Sequence, residues 1–389
     1  MIDIDAVRAD TPGCGLVVHL NNAGSSLPPR PVVDTQIDYL MHESMVGGYE
    51  MAAQRREQIA GVYGSIARLL GCASGEIALM SSATEAWNAA FAAFKFEEGD
   101  RILTSEAEYA SNVINFIKAA QGHGASVEIV PSTESGELSV PALQAMIDDR
   151  VKLIAVSHIP TNGGLVNPAE AIGEVARSAG ITYLLDACQS VGQLALDVEK
   201  LGCDLLTATG RKYLRGPRGT GFLYVREGWD SEPNTLDLHS ANWTGPDSYE
   251  VRSDARRFET WEFGYAALVG FGAAVDYALT LGLGEIEACV VELAEILRER
   301  LGGVAGVTVT DLGERRCGIV TFILDGFVAD QIVRAMHEQQ INLSVSTPGS
   351  TPIDAGRRQL PDLVRASVHY FNTVEEIDRF SAALAALRG

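Results

Sequence analysis

Basic side chains are scarce in this sequence. Its 389 residues include 30 Lys and Arg against 51 Asp and Glu, which gives a formal charge of −21. Proteins that bind nucleic acid or an anionic membrane surface need clustered Lys and Arg to meet the phosphates. The composition therefore predicts neither a nucleic-acid partner nor a membrane partner, although a local cluster of donors can still hold one small anion.

Long apolar runs and closely paired cysteines are also missing. No stretch of ~18 apolar residues is present, so no membrane span is expected. The first residues, Met-Ile-Asp-Ile-Asp, lack the basic and apolar regions of a signal peptide. Scattered thiols without C-x-x-C spacing are typical of reduced cysteines, here Cys14, Cys72, Cys188, Cys203, Cys289 and Cys317. We expect a cytoplasmic protein and predict no metal site.

Apolar, β-branched runs alternate with amphipathic stretches over much of the chain. The runs cover residues 77–80, 101–104, 127–131, 153–157, 183–186, 205–208 and 221–225. Strands that alternate with helices indicate a mainly parallel sheet covered on both faces. The sequence thus predicts an α/β fold whose large domain, residues 46–282, contains a mainly parallel seven-stranded sheet.

Shorter strand patterns follow a long helical pattern at residues 283–301. They lie at residues 307–310, 318–324, 342–346 and 364–367, with helical patterns at 328–339 and 374–387. This mixture predicts a smaller α+β C-terminal domain over residues 283–389. Residues 1–45 are predicted to form an N-terminal segment with a loop rich in turn-forming residues.

Hydroxyl side chains follow the first strand of the predicted sheet. Ser81-Ser82-Ala83-Thr84-Glu85 precedes a helical pattern that starts near Glu85. Hydroxyls and backbone N–H groups at a helix N-terminus form an anion site, which the helix dipole favours. The same residues fit a simple N-cap with Glu in the first turn, so this segment alone leaves both interpretations open.

An aspartate and a lysine follow two later strands. Asp186 ends an apolar run at the edge where open α/β sheets bind ligands, and Lys212 lies between a strand and a Gly- and Pro-rich turn. Taken singly, Asp186 can be a helix N-cap and Lys212 a solvated surface group. The glycines fit neither G-x-G-x-x-G nor a P-loop, so a nucleotide site is weakly supported.

Together the three features point to one cofactor, pyridoxal phosphate (PLP). Its phosphate needs an anion site, its pyridinium nitrogen needs a carboxylate, and its aldehyde needs a lysine. The three features occur in this order at the C-terminal ends of predicted strands. The sequence therefore predicts a PLP enzyme that acts on a small α-amino acid.

The segments Asp186-Ala-Cys-Gln and Lys212-Tyr-Leu-Arg-Gly-Pro resemble those of class V aminotransferase-like enzymes, and the resemblance extends over residues 21–380. This family includes cysteine desulfurases, selenocysteine lyases, cysteine C–S lyases and isopenicillin N epimerase. The resemblance implies the fold-type I PLP-dependent transferase fold. It also implies a homodimer with the site at the subunit interface, with residues 252–265 crossing over.

The resemblance also implies roles for individual residues. Lys212, which would bond to the cofactor aldehyde, and Asp186, which would pair with the ring nitrogen, are the implied catalytic residues. Arg365 is implied to bind the substrate α-carboxylate, which a guanidinium fits bidentately, and Asn22 and Ala23 are further substrate-binding candidates. The implied cofactor-binding set is Ala83, Thr84, Tyr109, Asn162 (or its neighbour Thr161), Asp186, Gln189, Thr209, Arg211 and Lys212.

The sequence departs from desulfurases at four places. One is in the segment expected to cross over, where Glu262 stands near the place of a desulfurase Thr that reaches the phosphate of the partner subunit. Tyr109 stands where they stack a His on the ring, and Arg211 stands where they have a His before the lysine. At both positions the sequence resembles the subgroup that contains isopenicillin N epimerase and hercynylcysteine sulfoxide lyase. Residues 344–363, the counterpart of the desulfurase loop with the reactive cysteine, contain no cysteine. A persulfide needs a thiolate, and we expect Cys188 to be a buried packing residue.

These departures favour an α,β-elimination that breaks the C–S bond of a cysteine-derived substrate, S-oxides included, without a persulfide cysteine. A PLP-dependent epimerase or aminotransferase of class V is the alternative, because the same carbanion can be reprotonated at either carbon. A third hypothesis is a non-catalytic binding protein that kept only the fold. The presence of Lys212, Asp186 and Arg365 argues against it.

Overall fold

The computed structural model describes residues 2–388. Its α-helices are α1 (Ile4–Ala9), α2 (Arg30–Val46), α3 (Gly48–Gln54), α4 (Arg56–Leu70), α5 (Ala83–Ala92), α6 (Ala110–His123), α7 (Val140–Met146), α8 (Ala169–Ala179), α9 (Val198–Leu201), α10 (Tyr265–Leu281), α11 (Leu283–Gly302), α12 (Ala329–Glu338), α13 (Pro352–Arg358) and α14 (Val374–Ala386). Taken singly, no helix within residues 2–388 has the length and apolar composition to cross a membrane; α10 and α11 meet that test only as a pair bent by 82°.

The strands are β1 (Val18–His19), β2 (Ile77–Met80), β3 (Arg101–Thr104), β4 (Ser126–Ile129), β5 (Val151–Ser157), β6 (Thr182–Asp186), β7 (Leu205–Thr209), β8 (Gly221–Val225), β9 (Ala241–Gly245), β10 (Ser248–Val251), β11 (Val307–Val309), β12 (Ile319–Leu324), β13 (Ile341–Asn342), β14 (Ser344–Ser346) and β15 (Leu363–Ser367). The seven predicted strands of the large sheet are all present, within two residues of their expected bounds. The hairpin of β9 and β10 was not expected from the sequence.

The large sheet has seven strands in the order β2-β8-β7-β6-β5-β3-β4. β8 runs antiparallel to both of its neighbours, and every other pair in this sheet is parallel. The predicted mainly parallel seven-stranded sheet is therefore confirmed. Because parallel strands end at the same edge, the residues that follow β5, β6 and β7 lie side by side.

Helices cover both faces of this sheet. Leu185 and Leu206 pack on one face with residues of α4, α8 and α10, whereas Leu184 and Leu205 pack on the other face with residues of α5 and α6. Burial on both faces explains why these strands have continuous apolar runs instead of an alternating pattern.

The C-terminal part forms a second sheet of four antiparallel strands, in the order β11-β12-β15-β14. Helices α11, α12 and α14 share an apolar core with it. The N-terminal strand β1 pairs in parallel with β13, and Val18 and Leu20 belong to this same core. The division at residues 45 and 282 stays a prediction.

The helix after β2 begins two residues earlier than its pattern predicts. Ser82 is its N-cap, since the Ser82 hydroxyl accepts a hydrogen bond from the Glu85 N–H at 3.1 Å. This capping brings Ala83 and Thr84 into the first turn. Their backbone N–H groups therefore point out of the helix end, beside the carboxyl edge of the sheet.

Candidate active site

A cavity of about 230 Å³ lies at the carboxyl edge of the large sheet. The loops after β2, β5, β6 and β7 form most of its wall, while the N-terminal loop and β15 close it. Its lining consists of Ala23, Gly24, Ser82, Ala83, Thr84, Trp87, Tyr109, Asn112, Ser157, Ile159, Thr161, Asp186, Cys188, Gln189, Thr209, Arg211, Lys212 and Arg365.

The N-terminus of α5 gives the cavity an anion site. Within residues 2–388 the N–H groups of Ala83 and Thr84 have no acceptor. The positive end of the helix dipole favours a negative charge there, and Arg211 lines the same cavity. Gly221 lies directly behind, and a Cβ on it would be 2.8 Å from the Ser82 carbonyl carbon and 3.0 Å from the Ala83 nitrogen.

Asp186 presents a carboxylate to the cavity without a cationic partner. Its Oδ1 accepts from the Cys188 N–H at 3.0 Å, and its Oδ2 accepts from Asn112 Nδ2 at 3.1 Å. Across the described chain no Lys, Arg or His nitrogen lies within ion-pair distance of it. A partly buried carboxylate held by two donors but lacking a cation fits the pyridinium nitrogen of PLP.

Lys212 lies on the same wall, just after β7. Its Nζ is 3.3 Å from Cys188 Sγ, and in residues 2–388 no carboxylate pairs with it. The turn behind it is fixed by Arg215, which adopts a φ of 60° and is almost fully buried. The Arg215 guanidinium donates to the Leu27 carbonyl at 2.8 Å and to the Thr11 hydroxyl at 2.6 Å. The amine is therefore held at the cavity with no anion to neutralise it.

Two buried polar atoms on the cavity lack any hydrogen-bond partner, Gln189 Oε1 and Arg365 Nε. The amide nitrogen of Gln189 donates to the Ala23 carbonyl at 3.2 Å, which leaves its oxygen available. Arg365 Nη1 donates to Thr161 Oγ1 at 2.8 Å, and burial lowers the pKa of this guanidinium. Unpartnered buried groups are costly, so both atoms indicate a missing ligand.

The chemistry of these groups fits PLP. The first-turn N–H groups of α5 would take its phosphate, Asp186 its ring nitrogen and Lys212 its aldehyde. The free oxygen of Gln189 can accept from the ring hydroxyl, and Tyr109, which is 39% exposed, offers an aromatic face on the same wall. Arg365 remains for a carboxylate.

The structure brings ten predicted site residues onto the cavity: Ala23, Ala83, Thr84, Tyr109, Asp186, Gln189, Thr209, Arg211, Lys212 and Arg365. Asn22 and Asn162 lie behind the wall instead. The amide of Asn22 donates to the Ser367 carbonyl at 2.8 Å, and that of Asn162 donates to the Thr347 carbonyl at 3.0 Å. Both amides fasten loops, and Thr161, not Asn162, is on the cavity.

Sequence reasoning missed Asn112. Cys188 was expected to be a buried packing residue; its thiol is buried, and the residue also lines the cavity, where its Sγ contacts Lys212. Asn112 lies in the first turn of α6, four residues after the buried Glu108 to which it donates at 2.8 Å. The i, i+4 spacing of a Glu and an Asn at a helix start was the available signal.

Known proteins resemble this chain over nearly its whole length. The sequence profile of the family described as Aminotransferase class-V matches residues 18–380. A cysteine desulfurase of Yersinia pestis (strain Pestoides F) is 30% identical over 405 residues, covering 98% of this chain and 97% of the relative. A probable cysteine desulfurase of Methanothermobacter thermautotrophicus (strain Delta H) is 26% identical over 392 residues, covering 98% of each.

Solved structures are also similar. The apo cysteine desulfurase of Thermococcus onnurineus NA1 has a TM-score of 0.92 at 25% identity, covering 100% of this chain and 98% of that one. The cystine C–S lyase C-DES, in complex with its product cysteine persulfide, has a TM-score of 0.86 at 23% identity, covering 96% and 99%. A C-DES variant carries glycine covalently linked to its PLP cofactor. At that identity, the C-DES likeness shows the fold alone.

Proposed function

This chain belongs to the class-V aminotransferase family, a family of PLP-dependent enzymes, and we propose that it is a C–S lyase. It eliminates a sulfur leaving group from a small cysteine-derived α-amino acid, S-oxides included, and forms no persulfide on the protein. The predicted fold-type I enzyme and its cofactor agree with the family, whereas the substrate and the absence of a persulfide are our proposal.

One observation carries the proposal: the segment between β14 and β15 holds no cysteine. It is also fastened to the rest of the protein. Asn162 Nδ2 donates to Thr351 Oγ1 at 2.9 Å, the Asp354 N–H donates to the Glu106 carbonyl at 3.1 Å, and Arg357 pairs with the Glu106 carboxylate. A segment held at three points and lacking a thiol does not supply a sulfur acceptor.

Cys188 is the thiol that lines the cavity, and its state argues against sulfur transfer. Burial is the main reason that the pKa of this thiol is raised, and the positive charge of Lys212 only partly opposes it. A protonated thiol is a poor nucleophile. Cys188 therefore fits a wall residue beside Lys212 better than a persulfide carrier.

The remaining site residues have roles that elimination requires. Arg365 binds the α-carboxylate of the substrate, and Thr161 orients its guanidinium. When bound, PLP supplies an electron sink for the pair left on the α carbon. Lys212 Nζ removes the α-proton. The C–S bond then breaks with its electrons going to sulfur, and addition of water gives pyruvate and ammonia.

A substrate screen with a thiol variant tests the proposal. S-substituted L-cysteines, their S-oxides and L-cysteine are incubated with the enzyme, and pyruvate, alanine, racemisation and keto-acid exchange are measured. We expect pyruvate with loss of the sulfur group. Cys188→Ala should retain most activity, with a stability loss of about 1 kcal/mol for the small cavity.

Labelling of persulfides on the protein during turnover distinguishes elimination from desulfuration. We expect no labelled persulfide on the protein during turnover. Alanine formation from cysteine together with a persulfide on Cys188, or loss of turnover in Cys188→Ala with cofactor binding intact, would replace elimination by desulfuration. Racemisation or keto-acid exchange without pyruvate would instead favour an epimerase or an aminotransferase.

We also propose a homodimer in the cytoplasm. Helix α2 has an apolar face with no partner in the described residues, formed by Ile37, Leu40, Met41 and Met45, each more than half exposed. A contiguous apolar helix face of this kind is typical of an interface.

All six cysteines are free thiols, which supports a reducing compartment.

A further inference from the structure

A buried chain of hydrogen bonds stands behind Asp186. Asn112, which is 4% exposed, donates through the same Nδ2 atom to Asp186 Oδ2 at 3.1 Å and to Glu108 Oε1 at 2.8 Å. The two hydrogens of one amide group thus point at two carboxylates. Asn112 and Asp186 are 74 residues apart in sequence and meet only through the packing of α6 against the end of β6.

Glu108 is a buried carboxyl group surrounded by hydrogen-bond partners. Burial is the main reason that its pKa is raised, and hydrogen bonds from Ser157 and Asn112 oppose that effect. Besides Asn112, it accepts from the Ser157 N–H at 2.7 Å, the Ser157 hydroxyl at 2.6 Å, the Tyr109 N–H at 3.0 Å and the Thr104 hydroxyl at 3.3 Å. Within residues 2–388 no cation pairs with it. A carboxyl group with five hydrogen-bonding contacts is held in one orientation.

The amide of Asn112 bridges two carboxyl groups. Without its N–H groups, Asp186 would lose one of its two donors, and its carboxylate would be free to rotate. A rotated Asp186 cannot hold a cationic ring nitrogen. Glu108 in turn fixes the rotamer of Asn112, since a locked neighbour is needed to place a side chain precisely.

We propose that Asn112 and Glu108 are positioning residues for Asp186. Asn112 fixes the orientation of the Asp186 carboxylate, and Glu108 anchors Asn112. The inference rests on the PLP chemistry of the family and is independent of which reaction the enzyme catalyses.

The test is a double-mutant cycle read out by cofactor affinity. Asn112→Leu is made in the native chain and in an Asp186→Asn background. The full-length enzyme is stripped of cofactor and titrated with PLP. Asn115→Leu is the matched control, because Asn115 lies one turn further along α6 and donates to the Asn88 side chain instead.

In the native background we expect Asn112→Leu to weaken PLP binding about tenfold or more, which corresponds to about 1.4 kcal/mol. In the Asp186→Asn background the same change should alter affinity by less than about twofold, since Asn112 then has no carboxylate to position. Glu108→Leu, which removes the oxygen that accepts from Asn112, should show the same dependence on Asp186. The smaller change Asn112→Ala serves as the probe if Asn112→Leu fails to fold.

The kinetic constants give a second readout. Because Arg365 and not Asp186 binds the amino-acid carboxylate, Asn112→Leu should lower kcat and leave KM for the substrate within about threefold. Equal weakening of PLP binding in both backgrounds would mean a general packing role and would overturn the inference. So would an Asn112→Leu variant that binds PLP like Asn115→Leu.

Discussion

Lys212 and Asp186 are reactive because neither has an ion-pair partner in the described chain. Each is a charged side chain on the cavity wall, and in the described chain neither meets an opposite charge. Partly buried charges without a counter-charge are unfavourable unless a ligand completes them. The cavity is therefore preorganised for a molecule that carries both an electrophile for the amine and a cation for the carboxylate.

Replacement of Lys212 should remove the covalent link to the cofactor. We expect Lys212→Ala to lose the visible absorbance that borohydride bleaches and to lose activity by about 10²–10⁴-fold, because the proton-transfer group is gone. PLP should still bind non-covalently through the α5 N-terminus. Absorbance spectra before and after borohydride, with the exposed Lys200→Ala as control, measure this. A Lys212→Ala enzyme that keeps a reducible cofactor would refute the assignment.

At the scale of elements, the anion site depends on how closely β8 approaches the start of α5. The first residue of β8, Gly221, packs against the main chain of Ser82, Ala83 and Ala208. A side chain at this position would push β8 away from both β7 and α5. The glycine therefore permits the helix N-terminus to lie at the sheet edge.

Gly221→Ala should damage the stability and the cofactor site together. The added Cβ would be 2.7 Å from the Ala208 carbonyl oxygen, and backbone atoms cannot move aside cheaply. We expect a loss of about 1–3 kcal/mol in the free energy of unfolding and weaker PLP binding.

Denaturant unfolding and PLP titration measure the two effects of Gly221→Ala. Gly122→Ala is the control, since a Cβ there meets nothing within 4 Å. If Gly221→Ala behaves like Gly122→Ala in both assays, the close approach of β8 does not control the site.

At the scale of the whole molecule, the exposed apolar face of α2 predicts a dimer. The enzyme should have twice the mass of 41.6 kDa in light scattering. Changing Leu40 and Met41 to Lys should shift the mass toward the monomer, because charges in an apolar interface are costly to bury. Val328→Lys, at another exposed apolar residue, is the control. A fully active monomer would remove the dimer proposal.

Acid should destabilise the folded chain through its buried histidines. Burial lowers the pKa of His158 to about 3, and it lowers the pKa of His369 well below its ordinary value. An unfolded histidine has a pKa of about 6.5. Between these values the unfolded chain binds more protons, so the free energy of unfolding falls as the pH falls below about 6.5, by up to about 1.4 kcal/mol per pH unit for each histidine.

His158→Leu should make this pH dependence shallower by up to one proton. Its Nδ1 has no hydrogen-bond partner, so the substitution removes the titration without breaking a contact of that atom. Urea unfolding from about pH 7 to about pH 5, at a fixed cofactor concentration, measures the slope. His123→Leu on the surface is the control. An unchanged slope in His158→Leu would show that His158 is not the group responsible.

The sequence by itself determined the strands of the large sheet, half of the α-helices in the described chain and the features that point to the cofactor. The physical reason is that these signals are local. Burial on both faces leaves a continuous apolar run in each central strand, and Asp186 and Lys212 each directly follow a strand. Parallel strands end at one edge, so the eight predicted residues that follow strands of the large sheet reach one cavity. Ala23 and Arg365 lie on the N-terminal loop and on β15, and they were candidates only through the family resemblance.

Only the tertiary structure decided the contacts between distant segments. Which of Thr161 and Asn162 faces the cavity depends on a turn, and Arg365 meets Thr161 across 204 residues. The hydrogen bonds from Asn112 to Asp186, and the contact of Cys188 with Lys212, arise where separate loops meet. Such contacts follow from the packing of one element against another, which no pattern within a single element records.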